Sequence, residues 1–433
     1  MDDKLETPIK HQTVTSKENL SLFGYSAWKM DNLDEGTKIG SYKGKDNSEN
    51  KEHENVLGKR MADGNLTREE KERKWKAKQQ RKQEAELTSK SRLAWIEEHA
   101  NFAAFISEKD VAGIRLFETK ATSELGRTLG AYVDIQDKPI KESSSKTLEE
   151  RLFIAEGTET IRLLVQQSTQ PTRFGLNPIE IKSVFVKPSI LFEDPVNLLS
   201  DIKKAMVLRN RTKKGGNSSP GFKVLVGSES TLSAVAGFPV TRGALSCGVV
   251  PQDRNEDWLN DFLSTKIKQE REIGVRILAV DGVCDTSNLG SMIRCASAFG
   301  VDVVVLSRNA CDCWYRRAIR VSMGHVFKIP CVRVQDLATE IRKWAGMNIR
   351  SYAAVIDTDN LLGDLEYGQV PPSWCCVMGN ESKGVNRLVA DACTQRVRID
   401  MVNGVDSLSV PIACGIILNG LREREGKKQL KEP

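Results

Sequence analysis

The stretch Ile277–Ser307, ILAVDGVCDTSNLGSMIRCASAFGVDVVVLS, constrains the fold more tightly than any other part of the chain. Its ends, Ile277 to Val280 and Val303 to Leu306, are short continuous apolar runs. That pattern belongs to strands of a parallel sheet covered by helices on both faces, because neither face of such a strand meets water. Between them Asp285, Thr286, Ser287 and Asn288 supply turn and capping chemistry, Gly290 lets backbone approach backbone, and Met292, Ile293, Ala296 and Phe299 recur at roughly helical spacing. The result is a βαβ unit whose loop falls at the carboxyl end of a strand, where open α/β sheets bind ligands. Asn288 and Arg294 lie six apart across the expected loop-to-helix junction. Either both point into that crevice, or Asn288 caps the helix and Arg294 sits on a solvated face.

The same alternation of strand and helix appears upstream. RLFIAEG is strand-like, Thr158 to Gln167 is an amphipathic helix, Ile181 to Val186 a strand and Asn197 to Met206 a helix. KKGGNSSPG reads as an exposed loop, with the basic run Arg209 to Lys214 beside it; Lys223 to Val226, Thr231 to Ala236 and Ala244 to Val250 then read as strand, helix and strand. This predicts a compact α/β domain over residues 148–256, joined through the charged, helix-favouring Glu256 to Arg271 to a second α/β domain over 275–421. In the second domain, strands are expected at Val326 to Ile329, Ser351 to Ile356, Trp374 to Met378 and Val397 to Met401, with a helix around Leu337 to Ala345.

Residues 1–147 form a charged extension. The first 65 or so have few branched apolar residues to offset the entropy of ordering, so disorder is expected there. Helices are expected within 68–106: REEKERKWKAKQQRK, with eight Lys or Arg against three Glu and no apolar stripe, as a solvated helix, and Leu93 to Ile106 as a second helical segment. A serine-rich run, Glu142 to Lys146, marks the boundary that follows. No apolar run approaches the roughly 18 residues needed to span a bilayer, and MDDKLETPIK has neither signal-peptide nor transit-peptide character, so a cytoplasmic or nuclear protein is expected. All ten cysteines lie between Cys247 and Cys414, as suits small core residues in a reducing compartment, and they lack the CxxC arrays with His partners that mark zinc. No metal is expected. The net charge of +6 permits a polyanionic partner without requiring one.

Three further polar groups stand out in the second domain. Arg316, Arg317 and Arg320 in RRAIRVSMGHVFKIP suit either a phosphate backbone or a solvated helix face. Gly379 to Gly384, GNESKG, follows a strand but is neither GxGxxG nor a P-loop, and its Glu381 disfavours a polyphosphate while suiting a cationic or donor-rich ligand. In DSLSVPIACGIIL, Asp406 or Ser407 is expected to cap a helix that tolerates Pro411 in its first turn.

Taken together, these motifs resemble the SpoU (TrmH-like) branch of the SPOUT RNA methyltransferases. Asn288, Gly290, Arg294 and Ala296 match the first motif of that family; Gly379, Glu381 and Gly384 match the second; Ile399, Met401, Ser407, Leu408 and Ala413 match the third. Residues 148–256, with FIAEG, resemble its L30e-like substrate-binding domain. The resemblance implies a C-terminal α/β knot, a topology that general rules of chain connection make rare. It implies S-adenosylmethionine as cofactor, bound at Gly379, Ile399, Met401 and Leu408. The implied reaction is methyl transfer to a ribose 2′-OH of tRNA or rRNA by a homodimer, with Asn288, Arg294, Glu381 and Ser407 as catalytic residues.

There are departures. The third motif of the family normally carries Asn where Ser409 stands, Ser where Pro411 stands and Pro where Asp400 stands. Ser409 keeps a donor and an acceptor but reaches less far than an amide. It is the feature that favours the alternative, a non-catalytic RNA-binding or ribosome-assembly factor with the same fold.

Overall fold

A computed structural model describes residues 68–100, 103–106, 128–129, 131–132, 151–169, 176–193, 196–212, 222–269, 273–402, 405 and 407–425. The extension before residue 68, the serine-rich stretch 142–146 and the loop residues 213–221 lie outside the described residues, as does Asp406. The chain divides into two units, residues 1–78 and 79–433. The described part of the first is the opening of helix α1 (Arg68–His99), where Lys76 pairs with Glu72 one turn earlier at 2.8 Å. Among the described residues no helix is long and apolar enough to cross a membrane.

The second unit holds two sheets. The first contains β1 (Ala103–Ile106), β2 (Leu152–Glu156), β3 (Ile181–Val186), β4 (Lys223–Gly227) and β5 (Ala244–Val249) in the order β1-β4-β3-β5-β2. Its β1, β4 and β3 run parallel, while β5 is antiparallel to both β3 and β2. Helices α2 (Thr158–Gln167), α3 (Leu198–Thr212) and α4 (Glu229–Ala236) pack on it through Ile161, Leu164, Ile202 and Leu232, all fully buried. α5 (Glu256–Gln269) leads to the second sheet, in which β6 (Arg276–Val280), β7 (Val303–Leu306), β8 (Cys331–Arg333), β9 (Arg350–Ala354), β10 (Trp374–Met378) and β11 (Gln395–Val397) lie in the order β11-β9-β10-β6-β7-β8. Every pairing in it is parallel.

Alternate residues of β6 feed opposite layers, as the period of two in a strand requires. Leu278 and Val280 pack with α6 (Thr286–Ala298), and Ile277 and Ala279 pack with α5. Between β7 and β9 the chain forms α7 (Arg316–Val321) and α8 (Leu337–Gly346); after β10 come α9 (Arg387–Ala392) and α10 (Val410–Glu423). α10 covers the α6 layer with Cys414, Ile417, Leu418 and Leu421, and α8 covers the other with Ile341 and Trp344. Cys375 and Cys376, on opposite faces of β10, are fully buried, and burial pushes both thiols up, so they behave as the small core residues expected of them. At the amino end of the sheet the Arg276 guanidinium donates twice to Glu425, both at 2.6 Å, and Trp374 Nε1 donates to the same carboxylate.

The two sheets meet through an aromatic cluster. The Phe153 ring centroid lies 5.1 Å from that of Trp314 and 5.5 Å from that of Phe327, and Arg151 pairs with Asp312 beside them.

Four local expectations are corrected. Helix α1 ends at His99, and Ala103–Ile106 is an edge strand on β4 where the helical segment Leu93 to Ile106 was expected; pairing with Val224–Gly227 overrides local propensity. Val326 to Ile329 is not a strand. His325–Phe327 forms a 3₁₀ turn after Gly324 at φ 80°, which drives Val326 and Phe327 into the core, and the strand begins only beyond Pro330. The last strand lies at Gln395–Val397, ahead of the expected Val397 to Met401, and continues only as an isolated bridge from Arg398 to Leu361. Finally, the N-cap of α10 is Ser409, without a side-chain cap bond, while Ser407 precedes the helix.

Phe153→Ala should cost about 3–5 kcal/mol by emptying the centre of the aromatic cluster. Urea unfolding should show this as a lower midpoint.

Candidate active site

β6 sits where the strand order reverses: its successor β7 lies on one side and β10, much later in the chain, on the other. Met378 is in register with Val280, so the loops after β6 and β10 leave the sheet side by side at its carboxyl end. They are knitted together. Asp281 N donates to the Met378 carbonyl at 2.8 Å, and its carboxylate accepts from Asn386 N at 2.8 Å. Asn380 organises the second loop: it exchanges backbone hydrogen bonds with Gly384, both at 2.9 Å, and its Oδ1 accepts from Ser382 N and Lys383 N. Its Nδ2 donates to the Gly282 carbonyl at 2.7 Å. A Cβ at Gly379 would lie 2.1 Å from the Gly384 carbonyl carbon, so this tight return admits glycine alone at that position.

Inside this frame Glu381 collects donors from separate parts of the chain. Its Oε1 accepts from Asn288 Nδ2 at 3.0 Å and from Asp285 N at 3.3 Å; its Oε2 accepts from Cys284 N at 3.4 Å and Asn380 Nδ2 at 3.3 Å. Burial alone would push this carboxyl up, but the bonds from Asn288 and the backbone N–H groups outweigh it and hold Glu381 below the usual carboxylate range. Asn288 therefore does not cap the helix. That is done by Asp285, whose carboxylate accepts from Ser287 N at 2.6 Å and is held low by that bond, with the Arg317 charge adding to it.

Arg294 is not brought to Glu381. Because α6 starts at Thr286, Asn288 and Arg294 are both helical, and six residues separate them by about 9 Å along the axis and about 120° around it. Arg294 is exposed, and among the described residues it has no hydrogen-bond or ion-pair partner. Nearby, His325 Nδ1 lies 2.6 Å from Ser297 Oγ; burial, with the Lys328 and Arg294 charges, lowers the His325 pKa and so favours the neutral ring. Ser407 and Leu408 are exposed, Ile399 and Met401 half-buried. The backbone groups of these four make no hydrogen bond to another described residue.

The three arginines of α7 part company. Arg316 lies 3.3 Å from Glu156 and stacks over Phe238 at 4.0 Å, Arg320 lies 3.7 Å from Glu156, and Arg317 is exposed. Asp281, Asn380 and Glu156 are site residues that the sequence motifs do not single out. Asp281-Gly282 and Gly379-Asn380 are turn signals at strand ends that mark the first two; no local signal marks Glu156.

An all-parallel sheet whose neighbouring strand-end loops meet at its switch point has the arrangement in which open α/β sheets bind ligands. Residues 276–419 match the SpoU rRNA Methylase family. An uncharacterized tRNA/rRNA methyltransferase of Archaeoglobus fulgidus is 34% identical over 159 residues, which cover 37% of this chain and 69% of that protein. The 23S rRNA (guanosine-2'-O-)-methyltransferase RlmB of Blochmanniella floridana is 32% identical over 38% of this chain and 62% of its own length, and that of Haemophilus ducreyi 30% identical over 44% and 74%. The chain thus spans between about three-fifths and three-quarters of the length of these three relatives. An AdoMet-bound rRNA methyltransferase from Sinorhizobium meliloti superposes with a TM-score of 0.48 at 20% identity, covering 74% of this chain and 98% of that one. The chain belongs to the SpoU family.

Glu381 contributes stability that is complete above the unfolded carboxyl pKa of about 4.3 and lost as pH falls through its lower folded value. The difference in Tm between the parent and Glu381→Gln should be constant near neutrality and shrink below about pH 4.

Proposed function

We propose that the chain transfers a methyl group from S-adenosylmethionine to a ribose 2′-OH of tRNA or rRNA. The observation that carries this reading is the Asn288–Glu381 contact at 3.0 Å, which joins the first and second family motifs at the crevice. The donor set suits the cofactor. A low-pKa carboxylate favours a cationic ligand over a polyphosphate. The backbone groups of Ile399, Met401 and Leu408, without a partner among the described residues, offer hydrogen bonds next to apolar surface, as an adenosyl group requires. Gly379 allows the tight return that brings Gly384 back against the end of β10. Bound there, S-adenosylmethionine supplies a methyl group activated on a sulfonium.

In this reading Glu381 holds Asn288 in one orientation, so that its amide meets the substrate without searching rotamers. Arg294, exposed and unpaired among the described residues, orients the ribose and the adjacent phosphate and stabilises charge developing on the 2′ oxygen. A guanidinium is a donor only and offers no lone pair for a proton, so the 2′ proton leaves to phosphate or water. Ser407 presents its hydroxyl from the segment that precedes α10. In this reading residues 148–256 form the L30e-like lobe that receives RNA, and the C-terminal segment forms the knot.

A homodimer is part of the proposal. Ile412 and Ile416 lie one turn apart on α10 and are 57% and 41% exposed, with Val402 at 82% nearby in sequence; a second copy of this face would remove that apolar surface from water. Residue chemistry around Ser409 also leaves a specific competitor, a binding factor without transfer activity, because Ser409 makes no side-chain cap bond where the family carries Asn.

The test is transfer of labelled methyl from S-adenosylmethionine to total RNA by the purified chain. Label should survive alkaline hydrolysis in dinucleotides, since a methylated 2′ oxygen cannot attack its own phosphate. Arg294→Ala should lower kcat about 10²-fold or more. Cofactor binding without transfer to any RNA fraction would favour the binding factor.

A further inference from the structure

Glu156 is a carboxylate at the carboxyl end of β2, 3% exposed, in a lobe that contains none of the three family motifs. Its Oε2 faces Arg316 and Arg320 of α7, 160 and 164 residues further along, at 3.3 and 3.7 Å. A buried carboxylate without cationic partners would be strongly disfavoured, so the two arginines are required where they are. They are held unequally. The Arg316 side chain is 14% exposed and also lies 4.0 Å above the Phe238 ring, whereas the Arg320 side chain is 42% exposed and has the longer contact. Arg317, between them in sequence, turns outward, and its charge bears on Asp285 at the start of α6.

The helix so held lies against the site. A Cβ on Gly290 of α6 would stand 2.6 Å from the Ala318 carbonyl oxygen of α7, so the two helices meet at backbone contact and α7 cannot shift toward α6. Asn288, half a turn before Gly290, carries the amide that meets Glu381.

We infer that Glu156 is a positioning residue that withholds Arg316 and Arg320 from nucleic acid, fixes α7 against α6, and leaves Arg317 as the phosphate contact of this helix. The inference rests on the RNA reading above. It assigns different roles to three arginines that look equivalent in sequence, and it predicts that removing a negative charge adds a phosphate contact while harming transfer.

The experiment measures binding of the full chain to total tRNA and to rRNA fragments across a range of KCl concentrations, together with methyl transfer at saturating RNA. Each phosphate contact contributes about 0.7–0.9 to the slope of log K against log salt. Glu156→Gln frees Arg320, so the slope should steepen by about that amount, while kcat falls several-fold because α7 is no longer latched. Adding Arg320→Gln to Glu156→Gln should return the slope to the parent value. Arg317→Gln alone should make it shallower by about one contact.

Arg320→Gln alone provides a check that does not require the Glu156 variant to fold: a slope equal to the parent supports sequestration, and a slope shallower by one contact overturns it. An unchanged or shallower slope in folded Glu156→Gln also overturns it. If the parent binds neither RNA with a salt-dependent affinity, the RNA reading itself fails and the inference falls with it; a normal parent slope with a failed Glu156 or Arg320 prediction refutes the inference alone.

Discussion

Glu381 accepts from Asn288, from two backbone N–H groups before α6 and from Asn380, and the rest of the site depends on that one carboxylate being satisfied. The loops after β6 and β10 each expose backbone groups at the end of a buried strand, and neither could hold its shape alone. Joined through Glu381 and the Asn380–Gly282 bond, they form one continuous rim. The charge is stable there because it is partly solvated and faces the amino end of α6, where helix N–H groups favour an anion.

The same economy appears at the amino end of the sheet and between the lobes. Arg276 and Trp374 both donate to Glu425 beyond the end of α10, tying the last helix to two adjacent strands. Phe153, Trp314 and Phe327 bring the first lobe onto the second, and Glu156 answers two arginines at the margin of that contact. Apolar burial supplies the bulk of the attraction across the lobes; the ion pairs contribute chiefly orientation, because desolvating them offsets much of their Coulomb energy.

What was legible in the sequence is specific. Continuous apolar runs at 277–280, 303–306 and 374–378 identified three central strands, since burial on both faces leaves no polar position to confuse the pattern. Val326 to Ile329 has the same appearance and is no strand, because Gly324 and Pro330 break the backbone on either side and a short apolar run does not distinguish a strand from a buried turn. Ala103–Ile106 was misread for the complementary reason: its partner strand lies about 120 residues away, and nothing local announces it.

The sequence by itself determined the two α/β lobes, the residue types at three strand-end loops and hence the family. Those features depend on local periodicity, turn chemistry and motif order, all written in neighbouring residues. Tertiary structure decided which of the polar residues meet. It joined Asn288 to Glu381 across 93 positions, left Arg294 about 9 Å further along the same helix, and divided Arg316 and Arg320 from Arg317 by placing Glu156 beside them. Such pairings arise from the register of distant strands and the docking of lobes, and a short-range pattern carries no record of either.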